Sequence, residues 1–481
     1  MEYTWLEDNK TRINAHENEE VLTWPAFHSW RIKSLDGATH LDSHQEGTAI
    51  RDTSSHQKTQ PKTISVMLPL IDAPSNSPST MKHAIDQVIQ ITNHLNPGQK
   101  AVMALDQPLY TQAKELQHTW PDQYGKEMIF FIMGGLHIEM EIMRVLGHLL
   151  NGSGWIHILN KAQVCGPGNH ESFLNAACVK KTRHAHQVTA AALYMLQQES
   201  YEQFCDATEN PPSIKEWRVQ RNTSSTHFFF WDLILNLQIR MLSLLRATSE
   251  TNLQHYIEML KMFIPLLFAL DKRNYAKWLT VHVDDMLLLK QQEPDFFEEL
   301  PDHFTVRKSQ RLFSSIATDQ AHEMNNATVK GTLKAISMMD SPDTLLRWML
   351  SSPILMSLCQ DFEQDSFGKV SNDDFSHLDD SVAKNTHFCK DVISCIEAFK
   401  TISNPFDELE SLYDLESGIF ASEKTEQDLR SMEDIGAKQH AEFVSTKLRS
   451  QTSKLSESFT MNKLEMLSSK EGKRKHQSSR F

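Results

Sequence analysis

The apolar residues Met81, Ile85, Val88 and Ile91, with Leu95 beyond, recur at three- and four-residue spacing and predict a helix over 81–95. It is entered from the Pro/Ser/Asn-rich loop 72–79, with Ser79 or Thr80 as its cap, and Asn96-Pro97-Gly98 stops it. The pattern then changes. Residues 101–105 and 128–133 are uninterrupted apolar runs, which suit strands buried on both faces of a sheet covered by helices. The stretch 109–120 between them reads as a crossover helix, making a β-α-β unit. From residue 139 onward the spacing is helical: 139–150, 155–164, 183–205, 227–249, 252–270, 274–291 and 314–336, then 390–402. Breaks fall at 151–154, 166–168, 210–213 and 293–295. The expected fold class is α/β and predominantly helical, with one small buried sheet. Residues 1–62 read as an irregular polar lead-in with a short apolar element at 21–30, and the Ser/Lys/Glu-rich stretch from 450 as a disordered tail. No internal repeat is evident.

Composition narrows the class. The 481 residues are 40% hydrophobic and 23% charged, a globular balance with room for two to four domain-sized units. The dense apolar stretches 128–133 and 262–270 fall short of the ~20 residues a membrane helix needs, so no membrane span is expected. The start of the chain is acidic and has no secretory apolar run. Six cysteines without a Cys-x-x-Cys pair point to a reduced, intracellular protein. The formal net charge is -14, but residues 361–416 hold 14 acids and 4 lysines, a net of -10. The remainder carries only -4, which leaves room for a basic nucleic-acid groove. The basic cluster within 470–480 fits a solvated tail and, secondarily, a nuclear-import signal. Histidine is over-represented, with 23 copies, so chance neighbours of carboxylates are expected.

Four groups of residues have chemical potential. Asp106 closes the first strand run, where open α/β sheets present ligand-binding side chains, although an Asp there also caps the next helix. Gly134-Gly135 follow the second run, and His137 and Glu139 come directly after them. Asp319, His322, Glu323 and Asn326 fall on one helical face, a polar stripe suited to a hard cation or a general base. Lys180, Lys181, Arg183, His184 and His186 gather at a helix start, where cations oppose the helix dipole unless they bind phosphate or pair with acids. A phosphate-binding P-loop, a dinucleotide fingerprint, a serine-nucleophile elbow and His-Glu-x-x-His are all missing.

Together these motifs resemble a widespread family of uncharacterised, transposon-derived proteins of animal genomes. The resemblance rests on Leu105-Asp106-Gln107-Pro108-Leu109-Tyr110, Gly134-Gly135-Leu136-His137-Ile138-Glu139-Met140, Gly152-Ser153-Gly154-Trp155 and Thr182-Arg183-His184-Ala185-His186-Gln187. It continues through Ala269-Leu270-Asp271, Asn274-Tyr275-Ala276-Lys277-Trp278-Leu279, Asp319-Gln320-Ala321-His322-Glu323, Asn325-Asn326, Arg347-Trp348-Met349 and Asn404-Pro405-Phe406. Such proteins are similar in layout to cut-and-paste transposases with an RNase H-like catalytic domain, in which acids bind two Mg²⁺ or Mn²⁺ ions for phosphodiester cleavage and strand transfer on DNA. The resemblance implies Asp106 as the first carboxylate and Glu323 as the last, with a large helical insertion across the 217 positions separating them. Glu139, Asp271, Asp284 and Asp285 compete for the middle position.

The chain departs from the family at 332–336, where a glycine-rich stretch usually follows; the resemblance also leads one to expect an amino-terminal cysteine-rich region and a segment past this carboxyl end, neither of which falls within these residues. The expected division is a lead-in at 1–62, a transposase-like core with a helical insertion at 63–345, an acidic helical region at 346–449 and a basic tail at 450–481. The expected catalytic residues are Asp106, Glu323 and His137. The expected metal ligands are Asp106, Glu139, Asp271, Asp319, His322 and Glu323, and the expected nucleic-acid contacts are Lys181, Arg183 and His186. DNA is the expected partner, homo-oligomerisation and a nuclear location fit the role, and no nucleotide cofactor is expected. The main alternative is a helical scaffold without activity; a His metalloenzyme built on His137, His186 and His322 is a third reading.

Overall fold

The computed structural model describes residues 73–448, except 167, 309–313, 333–353, 355–379 and 408, together with positions 63, 68 and 71. The lead-in, the first part of the acidic stretch (361–379) and the basic tail lie outside the described residues. The protein is predominantly helical, 72% helix, with small two-stranded sheets. Strands β1 (Ala101–Leu105) and β2 (Ile129–Met133) pair in parallel, from Ala101 opposite Ile129 to Leu105 opposite Met133. All five residues of β2 are buried, as an uninterrupted apolar run requires. Helix α1 (Pro78–Leu95) packs beside β1, placing Met81 and Ile85 in the core.

The crossover is α2 (Gln107–Thr119) followed by a single helical turn at Pro121–Tyr124. Asp106 is its N-cap, and its side chain accepts from the Leu109 N–H. Gln117 ties the crossover to the sheet by donating to the carbonyls of Tyr124 (3.0 Å) and Ile129 (3.2 Å). Asp285 fixes it to a later helix through Lys114 (2.8 Å) and Lys126 (2.7 Å). Burial pushes the Asp285 carboxyl upward, but the two lysines more than offset this and hold it below the usual range.

The helical remainder surrounds this unit. It comprises α3 (Gly135–Leu150), α4 (Trp155–Lys161), α5 (Val179–Ala207), α6 (Ile214–Ser224), α7 (Thr226–Ser249), α8 (Leu253–Ala269) and α9 (Arg273–Gln292). After it come β3 (Thr305–Arg307), antiparallel to β4 (Ser315–Ala317), and then α10 (Thr318–Thr332), α11 (Asp380–Ile402) and α12 (Glu423–Phe443). Helix α11 lies on α5 and α4, whereas α12 lies along α8. The α8–α12 approach is close because Gly436 sits over Pro265. A Cβ at Gly436 would stand 2.1 Å from the Pro265 carbonyl oxygen. One continuous apolar core runs from Met81 to Phe443 and includes the large side chains of Trp155, Trp231, Phe263 and Phe399.

Three expectations change. Residues 314–336 do not start as helix: Ser315-Ile316-Ala317 pair with β3, and the helix begins at Thr318. This three-residue strand is too short to register as a pattern. Helices α6 and α12 are present where none was specified. By length and composition α7 could cross a membrane, with a mean hydropathy of 1.4 that a search for uninterrupted runs overlooks, but 67% of that stretch is buried inside the protein.

Four histidines, His186, His227, His282 and His440, are buried. Burial lowers the imidazole values of His186 to about 3 and of His227, His282 and His440 to about 4. These rings fold neutral, so the unfolded chain takes up their protons first. Their stabilisation is complete above the ordinary value of about 6.5 and falls as pH drops toward 4 or, for His186, toward 3. Each histidine contributes about 1.4 kcal/mol per pH unit in that window. His227 stacks on Tyr413 at 4.7 Å, and neither of its ring nitrogens has a hydrogen-bond partner among the described residues. His227→Phe keeps the stack and removes the titrating group, so the midpoint of acid unfolding followed by circular dichroism should move to lower pH; an unmoved midpoint would contradict this.

Candidate functional site

The carboxyl ends of β1 and β2, the start of α3 and the start of α10 meet at one place. Gly134 is the N-cap of α3 and has no side chain to satisfy the helix's first N–H groups. Asp319, from α10, supplies the missing acceptor. Its Oδ1 accepts from Leu136 N at 3.0 Å and its Oδ2 from His137 N at 3.1 Å, while His137 Nδ1 lies 2.9 Å from Oδ2. The carboxylate also sits at the positive end of the α3 dipole. Gly134 is required here because a Cβ would stand 2.3 Å from Asp319 Oδ2.

The Asp319 hydrogen bond raises the His137 imidazole above its ordinary value against the effect of burial, and the charges of Asp319, Asp106 and Glu323 act in the same direction. Of the residues selected from sequence, His137 and Asp319 are thus in contact, and Asp106 and Glu323 act on the same imidazole through their charges. Two tyrosines complete the surroundings. Tyr256 and Tyr275 are both raised, first by burial; Asp319 adds to the shift of Tyr256, and Glu141, Asp106 and Asp319 add to that of Tyr275. Tyr275 stands within Asn274-Tyr275-Ala276-Lys277-Trp278-Leu279, a motif whose order in the chain was the only signal for it.

Other candidates are placed elsewhere or are already engaged. Asp319, expected as a metal ligand, is placed as the acceptor for the start of α3, and its oxygens also accept from Gln320 N at 3.0 Å. Glu139 is 3% exposed and forms a bidentate pair with Arg183, with both contacts at 2.7 Å, so the two side chains are engaged with each other. Helix α3 begins before His137, which turns Glu139 inward instead of leaving both residues on an extended turn. Asp271 pairs with Arg273 at 2.7 Å in the α8–α9 connection. Asp285 is committed to two lysines. His322 is exposed and is not among the groups acting on His137. His186 is fully buried, stacked on Trp155 at 5.0 Å and bonded to Gln238 at 3.1 Å, so it is neither a nucleic-acid contact nor a partner of His137. Lys181 lines an open cleft with Lys180 and His184.

Fold and site define a mostly helical α/β protein with an acid- and histidine-bearing edge at its parallel strand pair. The chain belongs to the family described as Domain of unknown function (DUF8702), whose model matches residues 49–231 and 214–478. No curated protein and no solved structure matches it.

The Glu139–Arg183 pair separates a structural from a DNA-contacting role for Arg183. Arg183→Leu strands a buried carboxylate and should cost about 3–5 kcal/mol in urea unfolding, whereas Glu139→Leu with Arg183→Leu should recover most of that loss. Equal stability of wild type and single variant would return Arg183 to the surface-contact reading.

Proposed function

We propose that this protein is transposase-like and of transposon-derived ancestry, carrying out divalent-metal-dependent phosphodiester cleavage and strand transfer on DNA from an RNase H-like core. The observation that carries the reading is that the charges of Asp106 and Glu323, distant in sequence, both act on the same imidazole, His137. The topology supports it as well. An acid closes the first of two parallel strands, a long helical insertion follows, and the last acid stands on a helix entered from a short strand.

The donor set fits Mg²⁺ or Mn²⁺, which favour carboxylate oxygens. Asp106 and Glu323 would hold the cations, which would activate the attacking oxygen and stabilise the leaving one. Asp319 fixes the His137 ring through Nδ1 and leaves Nε2 as the nitrogen directed to a reacting group or phosphate oxygen. The raised imidazole value favours the cationic form, which suits contact with a phosphodiester. Lys180 and Lys181 extend positive charge along the α5 start for the DNA backbone. A nuclear location follows from this role.

A second reading is a helical scaffold that has lost the chemistry. It is favoured by the capping work of the acids, since Asp106 caps α2 and Asp319 caps α3. Cleavage of a supercoiled DNA substrate in Mn²⁺ distinguishes the two. Activity in the wild type that falls at least a hundredfold in Asp106→Asn and in Glu323→Gln supports the enzyme; a wild type no faster than either variant supports the scaffold.

A further inference from the structure

A second constellation lies away from the β1–β2 edge, between α5 and α11. His184 Nε2 is 2.7 Å from Asp391 Oδ2, and His387 Nδ1 is 3.0 Å from the same oxygen. The ligand atoms of these three residues all lie within 4.8 Å of one another. His387 and Asp391 are one helical turn apart on α11, so the helix itself sets their spacing. His184 is supplied by the facing helix, and Phe388 packs against its ring in an edge-on contact at 6.1 Å.

We propose that His184, His387 and Asp391 form a three-ligand site for Zn²⁺, with the fourth position left to water. The donor set selects the ion. Two imidazole nitrogens with one carboxylate oxygen suit borderline Zn²⁺, whereas Mg²⁺ and Ca²⁺ prefer oxygen throughout. Zinc bonds of about 2.0–2.2 Å in a tetrahedron separate donor atoms by roughly 3.3 Å. The two histidine–Asp391 spacings of 2.7 and 3.0 Å need to open by a few tenths of an ångström, and the two imidazole nitrogens already lie within 4.8 Å of each other. Each imidazole turns its lone pair to the ion and carries its proton on the other ring nitrogen. The side chains are 36% (His184), 73% (His387) and 15% (Asp391) exposed, so solvent and ion can reach the site. His184 also borders the cleft of about 280 Å³ that it shares with Lys180 and Lys181. A bound ion would clamp α11 onto α5.

Co²⁺ titration of the untagged full-length chain, followed by absorption in the visible region, tests this with Co²⁺ as the spectroscopic substitute for Zn²⁺. The wild type should show the intense band of tetrahedral cobalt, with binding weakened at least tenfold in His387→Ala and in Asp391→Asn. Zn²⁺ should raise the thermal midpoint of the wild type above its own metal-free value and leave that of His387→Ala at its own metal-free value. The Asp106→Asn, Glu323→Gln double variant should keep the band, which separates this site from the β1–β2 edge. No tetrahedral band in the wild type, or one of equal strength in both α11 variants, would overturn the proposal.

Discussion

The Asp319 carboxylate is the contact on which the arrangement of the candidate site depends. A helix beginning on two glycines has no side chain of its own to receive its first N–H groups, and a late helix provides one. The contact spans 183 positions in sequence and docks α10 against the end of the parallel strand pair. It also fixes the His137 ring and brings Glu323, one turn further along α10, to the side where β1 ends in Asp106. A longer residue at Gly134 would occupy the space the carboxylate needs.

The strand pair was legible because fully buried strands are written as uninterrupted apolar runs, and 101–105 and 128–133 have no polar residue to blur them. Their parallel pairing followed from the length of the crossover. The polar stripe at Asp319 and Glu323 was legible as one helix face, but Asp319's task was not, because its partners are backbone N–H groups far away in the chain. Strand β4 escaped notice because three residues carry no period. The His184–Asp391–His387 cluster escaped notice for a related reason: two of its members are a helix turn apart, but the third lies more than 200 positions earlier.

The basic start of α5 shows how a charge run divides when the chain folds. Arg183 turns inward to Glu139, His186 goes to the core under Trp155, and His184 faces Asp391. Lys180 and Lys181, with His184 beside them, line an open cleft. Opposition to the helix dipole is thus relieved by acids from other helices, as electrostatics requires of cations placed at a helix start. The same sorting sends His186 and His227 into the core as neutral aromatic side chains.

The central claim is that the edge where Asp106, His137 and Glu323 meet holds a divalent cation. Calorimetric titration of Mn²⁺ into the full chain, compared with the Asp106→Asn, Glu323→Gln double variant, tests it most directly. The account predicts binding to the wild type of a component that the double variant lacks. Identical titrations of the two proteins would contradict it and leave these acids as helix caps.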